Sequence, residues 1–213
     1  MSTALALASV TALLKDLLEN GLASAGVTAK IGADATVSAL PPDRVGLGGD
    51  EKAQLNVFLY HITPHVAVRL ERKPGATKGS EGNGRHALSL ELHYLLTAYG
   101  AQDYQTEILL GHALQLLHES PVLERERIRT SLTAISHTRD RRVIPPPQAA
   151  LASSPLADQV DSLTITPEFM STEEISKLWS ALQAKYRPSA TYKVSAVFID
   201  GAKEPERGKA TRR

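Results

Sequence analysis

Apolar residues recur along this chain with two periods, and the changes between them mark out its elements. Over residues 3 to 19, Ala6, Val10, Leu13, Leu14, Leu17 and Leu18 recur at helical spacing. That spacing predicts an amphipathic first helix with Ser2 or Thr3 as N-cap and Asn20-Gly21 as its stop. "DATVSAL" then predicts a short strand ended by Pro41-Pro42, and "QLNVFLYHIT" a well-buried strand stopped at Pro64. Between Arg69 and Arg85 the stretch "LERKPGATKGSEGNG" has no periodicity and reads as a long mobile hairpin connection. Residues 87 to 99 predict the third strand.

Helical spacing returns in "DYQTEILLGHALQLLHESPVL", where Ile108, Leu109, Leu110, Ala113, Leu114, Leu116 and Leu117 form a broad stripe ended by Pro121. A further helix, roughly Leu123 to Ile135, turns Ile128, Leu132 and Ile135 inward. "VIPPPQAALASSPLAD" has the composition of a linker. "DSLTITP" predicts a strand, and "STEEISKLWSALQAKY" a helix opened by a Ser171–Glu174 capping box, with Trp179 in its core-facing stripe. "SATYKVSAVFID" predicts the last strand, a candidate for a sheet edge that could pair with a neighbouring protein. Strands interleaved irregularly with helices argue for an α+β fold: a single domain, residues 1–201, with one mixed β-sheet packed by three to four helices. Residues 202–213 are expected to form a disordered basic tail.

One stretch breaks the pattern. In "LELHYLLTAYG", residues 90 to 100, Leu90, Leu92, Tyr94, Leu96 and Ala98 make one apolar face, but Glu91, His93, Leu95, Thr97 and Tyr99 share the other. A solvated face would be more polar, and a buried one would not hold an acid. The mixture makes Glu91, His93, Leu95 and Tyr99 candidates for contact with another protein. The competing reading is a cover supplied by the same chain, with the helix at 105 to 118 as the expected cover.

Composition narrows the chemistry. At 213 residues with no cysteine, the chain can bury a core without staples, and disulfides, thiolate metal sites and cysteine nucleophiles are excluded. A formal charge of +1 supplies no field for nucleic acid or anionic lipid, so neither is expected as a partner. The apolar N-terminus lacks a basic flank and is interrupted by Lys15, Asp16 and Glu19, so it reads as helix rather than export signal.

Seven histidines invite a metal, but spacing within each element opposes one. Pro64 separates His61 from His65, His86 and His93 fall on opposite faces of a strand, and His112 and His118 diverge on a helix. Lys78-Gly79-Ser80 inverts the order of a phosphate loop and precedes a strand rather than a helix, and no G-x-S-x-G elbow occurs. Glu124 and Glu126 interleave with Arg125, Arg127 and Arg129 as on a solvated, ion-paired helix. No cofactor and no catalysis are expected. "HTRDRRV" is the densest basic run and makes Arg139, Arg141 and Arg142 candidate docking residues, as Lys203 and Arg207 are in the tail.

Taken together, "LNVFLYHITPHVAVR", "LSLELHYLLTAYG", "ILLGHALQLLHESPVL" and "LWSALQAKYRPSATYKVSAVFID" resemble a bacterial domain family formerly of unknown function. Its members include tail-terminator or cap proteins of extracellular contractile injection systems of the antifeeding-prophage and virulence-cassette type. The resemblance is collinear over roughly residues 3 to 200. It implies a homo-hexameric ring at the distal end of an inner tube and sheath, which stops their polymerisation and joins them. Tube and sheath proteins would be its partners, and it would be cytoplasmic during assembly and then part of the particle. From the residues alone, an adaptor or assembly chaperone of a secreted machine, or an enzyme of another type, stays open.

Overall fold

The computed structural model describes residues 5–46, 51–65, 88–136, 146–151 and 154–199. Helix α1 spans Ala6–Ser24 and α2 Val27–Ile31, followed by β1 (Thr36–Ser38), β2 (Gln54–Pro64) and β3 (Leu88–Tyr99). Next come α3 (Gln105–Glu119), β4 (Val122–Glu124), α4 (Arg125–Ser136), α5 (Pro146–Leu151) and α6 (Leu156–Gln159). Strand β5 (Ser162–Glu168), α7 (Thr172–Ala181) and β6 (Ser189–Ile199) complete the chain. The six strands form one mixed sheet in the order β1-β2-β3-β6-β5-β4. Among the described strands only β1 and β2 run parallel. The α+β reading from sequence is borne out, with α1, α3, α4 and α7 as the longer helices.

The core lies on one face of this sheet. Leu92, Tyr94, Leu96 and Ala98 of β3 pack with Leu13, Leu17 and Leu18 of α1, Leu109 and Ala113 of α3, and Ile128 of α4. Tyr94 reaches α1 with its hydroxyl, 3.0 Å from Thr11 Oγ1. Burial pushes the Tyr94 phenol well above its usual range, against the smaller opposing effect of that hydrogen bond, so it stays a neutral partner.

Four expectations need correction. Asn20-Gly21 does not stop α1, because Leu22 beyond it is buried and the missing Cβ of Gly21 leaves the space that Leu116 of α3 fills. The turn comes at Gly26, whose φ of 60° suits glycine. The stretch read as a linker folds into α5 and α6, with Leu151, Leu156 and Ala157 buried. Two of its prolines stand where helices accept them, Pro146 as first residue of α5 and Pro155 just before α6. Strand β2 is buried only over Leu55–Val57 and opens toward solvent at His61 and Ile62. Finally, β6 is not an edge strand, for it pairs with β3 on one side and β5 on the other. The short strand β4, not expected from sequence, occupies that edge.

Candidate protein interface

The second face of the sheet is built by cross-strand neighbours of the residues that raised the question in β3. Direct antiparallel partners share a face. Asn56, Phe58, His61 and Thr63 of β2 therefore stand beside Thr97, Leu95, His93 and Glu91, and Ser189, Thr191 and Lys193 of β6 flank them on the other side. A bulge makes this arrangement possible. Tyr60 is an extra residue between Leu59, opposite Tyr94, and His61, opposite His93. It shifts the alternation by one, so His61 and Thr63 join the face of His93 instead of facing the core.

One half of this face is closed by the same chain. Leu95 is fully buried and Tyr99 nearly so. Helix α7 lies on this side, its Trp179 indole N–H donating to Ser189 Oγ at 3.3 Å, while Ser171 and Glu174 form the expected capping box at its start. The cover is therefore intramolecular here, but α3, the helix expected to supply it, packs on the opposite face with the core. At the end of β3, Arg187 stacks 5.8 Å above the Tyr99 ring and donates to Glu51 at 2.6 Å, and Glu51 also accepts from the Gly100 N–H. Burial pushes the Tyr99 phenol up to about 12, with Glu51 adding to the shift and Arg187 opposing it.

The other half is polar and only partly covered. His93 donates from Nδ1 to Glu168 at 2.7 Å, and its Nε2 lies 2.8 Å from the Thr63 hydroxyl. The His61 ring lies 5.3 Å from that of His93, centroid to centroid. Beside them, Glu91 accepts from His65 at 3.0 Å and pairs with Lys193 at 3.2 Å. Burial alone raises the Glu91 pKa, but the hydrogen bonds from His65 and Lys193 and their charges outweigh it and hold the carboxyl below its ordinary value. The Tyr60 phenol is pushed up, first by burial and then by the charges of Glu168 and Glu174.

Of the candidates named from sequence, Glu91 and His93 therefore join one polar cluster, and Leu95 and Tyr99 sit under the covered half. Arg139, Arg141, Arg142, Lys203 and Arg207 lie outside the described residues. Testing histidines within single elements missed His61, His65 and Glu168, because hairpin register and a bulge bring them together. Among the described residues, no group of three or more His, Asp or Glu is placed to hold a metal ion, and no helix is long and apolar enough to cross a membrane.

Glu91 gives this cluster a measurable signature. A carboxyl whose pKa is lowered on folding stabilises the fold above its unfolded value and loses that contribution as pH falls through the folded value. The stability difference between the native chain and Glu91→Gln is expected to be largest at neutral pH and to shrink below the ordinary carboxyl value of 4.5. Urea titrations at a series of pH values measure it, and a pH-independent difference would show that the Lys193 and His65 contacts leave the charge of Glu91 unstabilised.

The arrangement defines a class first: an α+β domain with one sheet face committed to its own core and the other shared between an internal cover and an open polar cluster. A family model described as the Pvc16 N-terminal domain matches residues 9–213, and the chain belongs to that family. The membership bears out the resemblance drawn from the sequence. No curated protein matches the chain. Among solved structures it is similar to the PVC sheath/tube terminator of an extracellular contractile injection system in the extended state, at 15% identity and a TM-score of 0.46, over 92% of this chain and 60% of that one. It is also similar to the anti-feeding prophage cap, a tube terminating cap, at 18% identity and a TM-score of 0.45, over 91% of this chain and 60% of that one. The chain thus spans 60% of the length of either solved chain.

Proposed function

We propose that this chain is a structural terminator of a phage-tail-like contractile injection system. It forms a six-fold ring at the distal end of the inner tube and sheath, ends their polymerisation and joins them, and so becomes part of the particle. The observation that carries this reading is membership of the Pvc16 N-terminal domain family over residues 9–213, which takes in nearly every described element. The geometry supports action by binding rather than by catalysis. His93, Glu168, Thr63, Glu91, His65 and Lys193 engage one another instead of converging on a cavity that could hold a substrate. Glu91 and His93 offer a polar rim to a partner, and Arg139, Arg141, Arg142, Lys203 and Arg207 add cationic contacts that speed docking on acidic surfaces.

Deleting the gene while leaving the rest of the system intact tests the reading. Tube and sheath then lack their stop, and electron microscopy is expected to show particles that are aberrantly long, unstable or without sheath. Uniform particles of normal length that still contract would overturn the terminator role.

A further inference from the structure

We propose that the cleft between α1 and α3 receives the Phe169–Glu174 segment of a second copy of this chain, making the head-to-tail contact from which an assembly of copies is built. The cleft, about 540 Å³ in volume, has an apolar floor at Leu17, Gly21 and Leu116. Lys30 and Arg127 line it, and among the described residues Glu119 is the only carboxylate that does.

Two cations of the cleft, like Arg44, Lys52 and Lys185 elsewhere, reach no carboxylate among the described residues. Lys15, Arg125, Arg129, Lys177, Arg187 and Lys193 each reach a carboxylate. Lys30 instead points its ammonium at the His112 ring, with Nζ 3.2 Å from Nε2, and has no ion pair among the described residues. In the run of alternating charges on α4, Arg125 pairs with Asp161, and Arg129 with Glu126 and Asp158. Arg127 between them has no ion pair among the described residues and faces the cleft. Two unpaired cations over an apolar floor fit an acidic segment that carries one apolar anchor.

Such a segment stands on the other side of the sheet. Phe169, between β5 and α7, is 95% exposed, while its neighbour Met170 turns inward, its sulfur 4.0 Å from the Tyr60 hydroxyl. Glu173 and Glu174 follow in the first turn of α7, both exposed; Glu173 also makes an exposed pair with Lys177, a contact that contributes little, and Glu174 keeps its charge while accepting from Ser171 in the capping box. Cleft and anchor cannot meet within one copy, because α1 and α3 pack on the core face and α7 on the opposite one. The chain's own longer remaining segments fit less well: residues 66–87, 137–145 and 200–213 each hold more Lys and Arg than Asp and Glu, and residues 47–50 carry a single acid and no aromatic anchor. A contact between two different patches repeats from copy to copy and closes into a ring when the rotation allows. The inference rests on the proposed function only for that closure.

The absence of native cysteine makes the test clean. Ser24→Cys places a thiol at the cleft and Thr172→Cys places one beside Phe169, both at exposed positions. Purified single-cysteine proteins, mixed and treated with a bis-maleimide, are expected to give crosslinked dimer from the Ser24/Thr172 mixture and little from either protein alone. Lys30→Glu with Arg127→Glu, and separately Phe169→Ala, are expected to lower the yield at least about tenfold, with circular dichroism confirming the fold. Glu119→Gln is expected to raise it, an outcome that misfolding cannot imitate. No preference for the mixed pair, or yields unmoved by all three changes, would overturn the contact. If the cleft takes an acidic segment of another protein instead, the charge reversals will impair particle assembly without altering the crosslink, which also overturns it. The assay needs no tube or sheath, so its failure leaves the particle-length test of the terminator role standing.

Discussion

Leu95→Ala is expected to cost the isolated chain about 2–5 kcal/mol, the range for emptying a fully buried leucine site. That is a large share of the roughly 5–15 kcal/mol that holds an ordinary domain together. The experiment separates the two readings of the β3 stretch. A side chain kept on the surface for a partner contributes little to the free chain, whereas one closed over by its own chain contributes as core. Tyr99→Phe supplies the control on the same face. The Tyr99 hydroxyl is buried without a hydrogen-bond partner among the described residues, so its removal is expected to be neutral or slightly stabilising. Guanidinium titration of the three proteins, at a dilution that keeps them apart, measures both effects. A midpoint unchanged by Leu95→Ala would return Leu95 to the set of partner contacts.

What could be read from the sequence follows from which forces act locally. The stripe of Ile128, Leu132 and Ile135, the Ser171–Glu174 cap and the alternation of β3 are set by residues a few positions apart, and the structure contains all of them. The polar cluster depends instead on pairing β2 with β3 across the segment at 66–87, and no local pattern sets that register. A single extra residue at Tyr60 then reverses which side chains of β2 meet His93. The end of β6 shows the same limit. The irregularity opposite Glu91 places Val197 across from Leu90, although strict alternation groups Val194 with Phe198. The stop assigned to Gly21 failed for a related reason, since a glycine that ends a helix and one that lets a second helix approach look alike until Leu116 is seen against it.

Asn56 carries the other large expected effect. It is completely buried in the middle of β2, where an amide is costly unless its polar atoms are satisfied. Its Oδ1 accepts from the Leu40 N–H at 3.0 Å and the Ser38 hydroxyl at 2.7 Å, and its Nδ2 donates to the Leu40 carbonyl at 2.9 Å. The side chain thereby adds a rung to the three-residue pairing of β1, which Pro41 and Pro42 prevent from continuing through backbone donors. Asn56→Ala removes all three bonds and is expected to cost about 3 kcal/mol, from groups left unsatisfied at ~1–3 kcal/mol each. Asn56→Asp keeps the acceptor but sets a buried carboxylate against the Leu40 carbonyl, so at neutral pH it is expected to cost more than alanine. Burial raises the pKa of that new acid, and its protonated form can donate to the carbonyl as the amide does. The excess cost is therefore present at neutral pH and disappears as pH falls through the raised value. Stability of both variants relative to the native chain, followed from pH 7 downward, decides the matter. A constant gap between them would mean that water reaches position 56, and that β1 is held on the edge of β2 by its backbone alone.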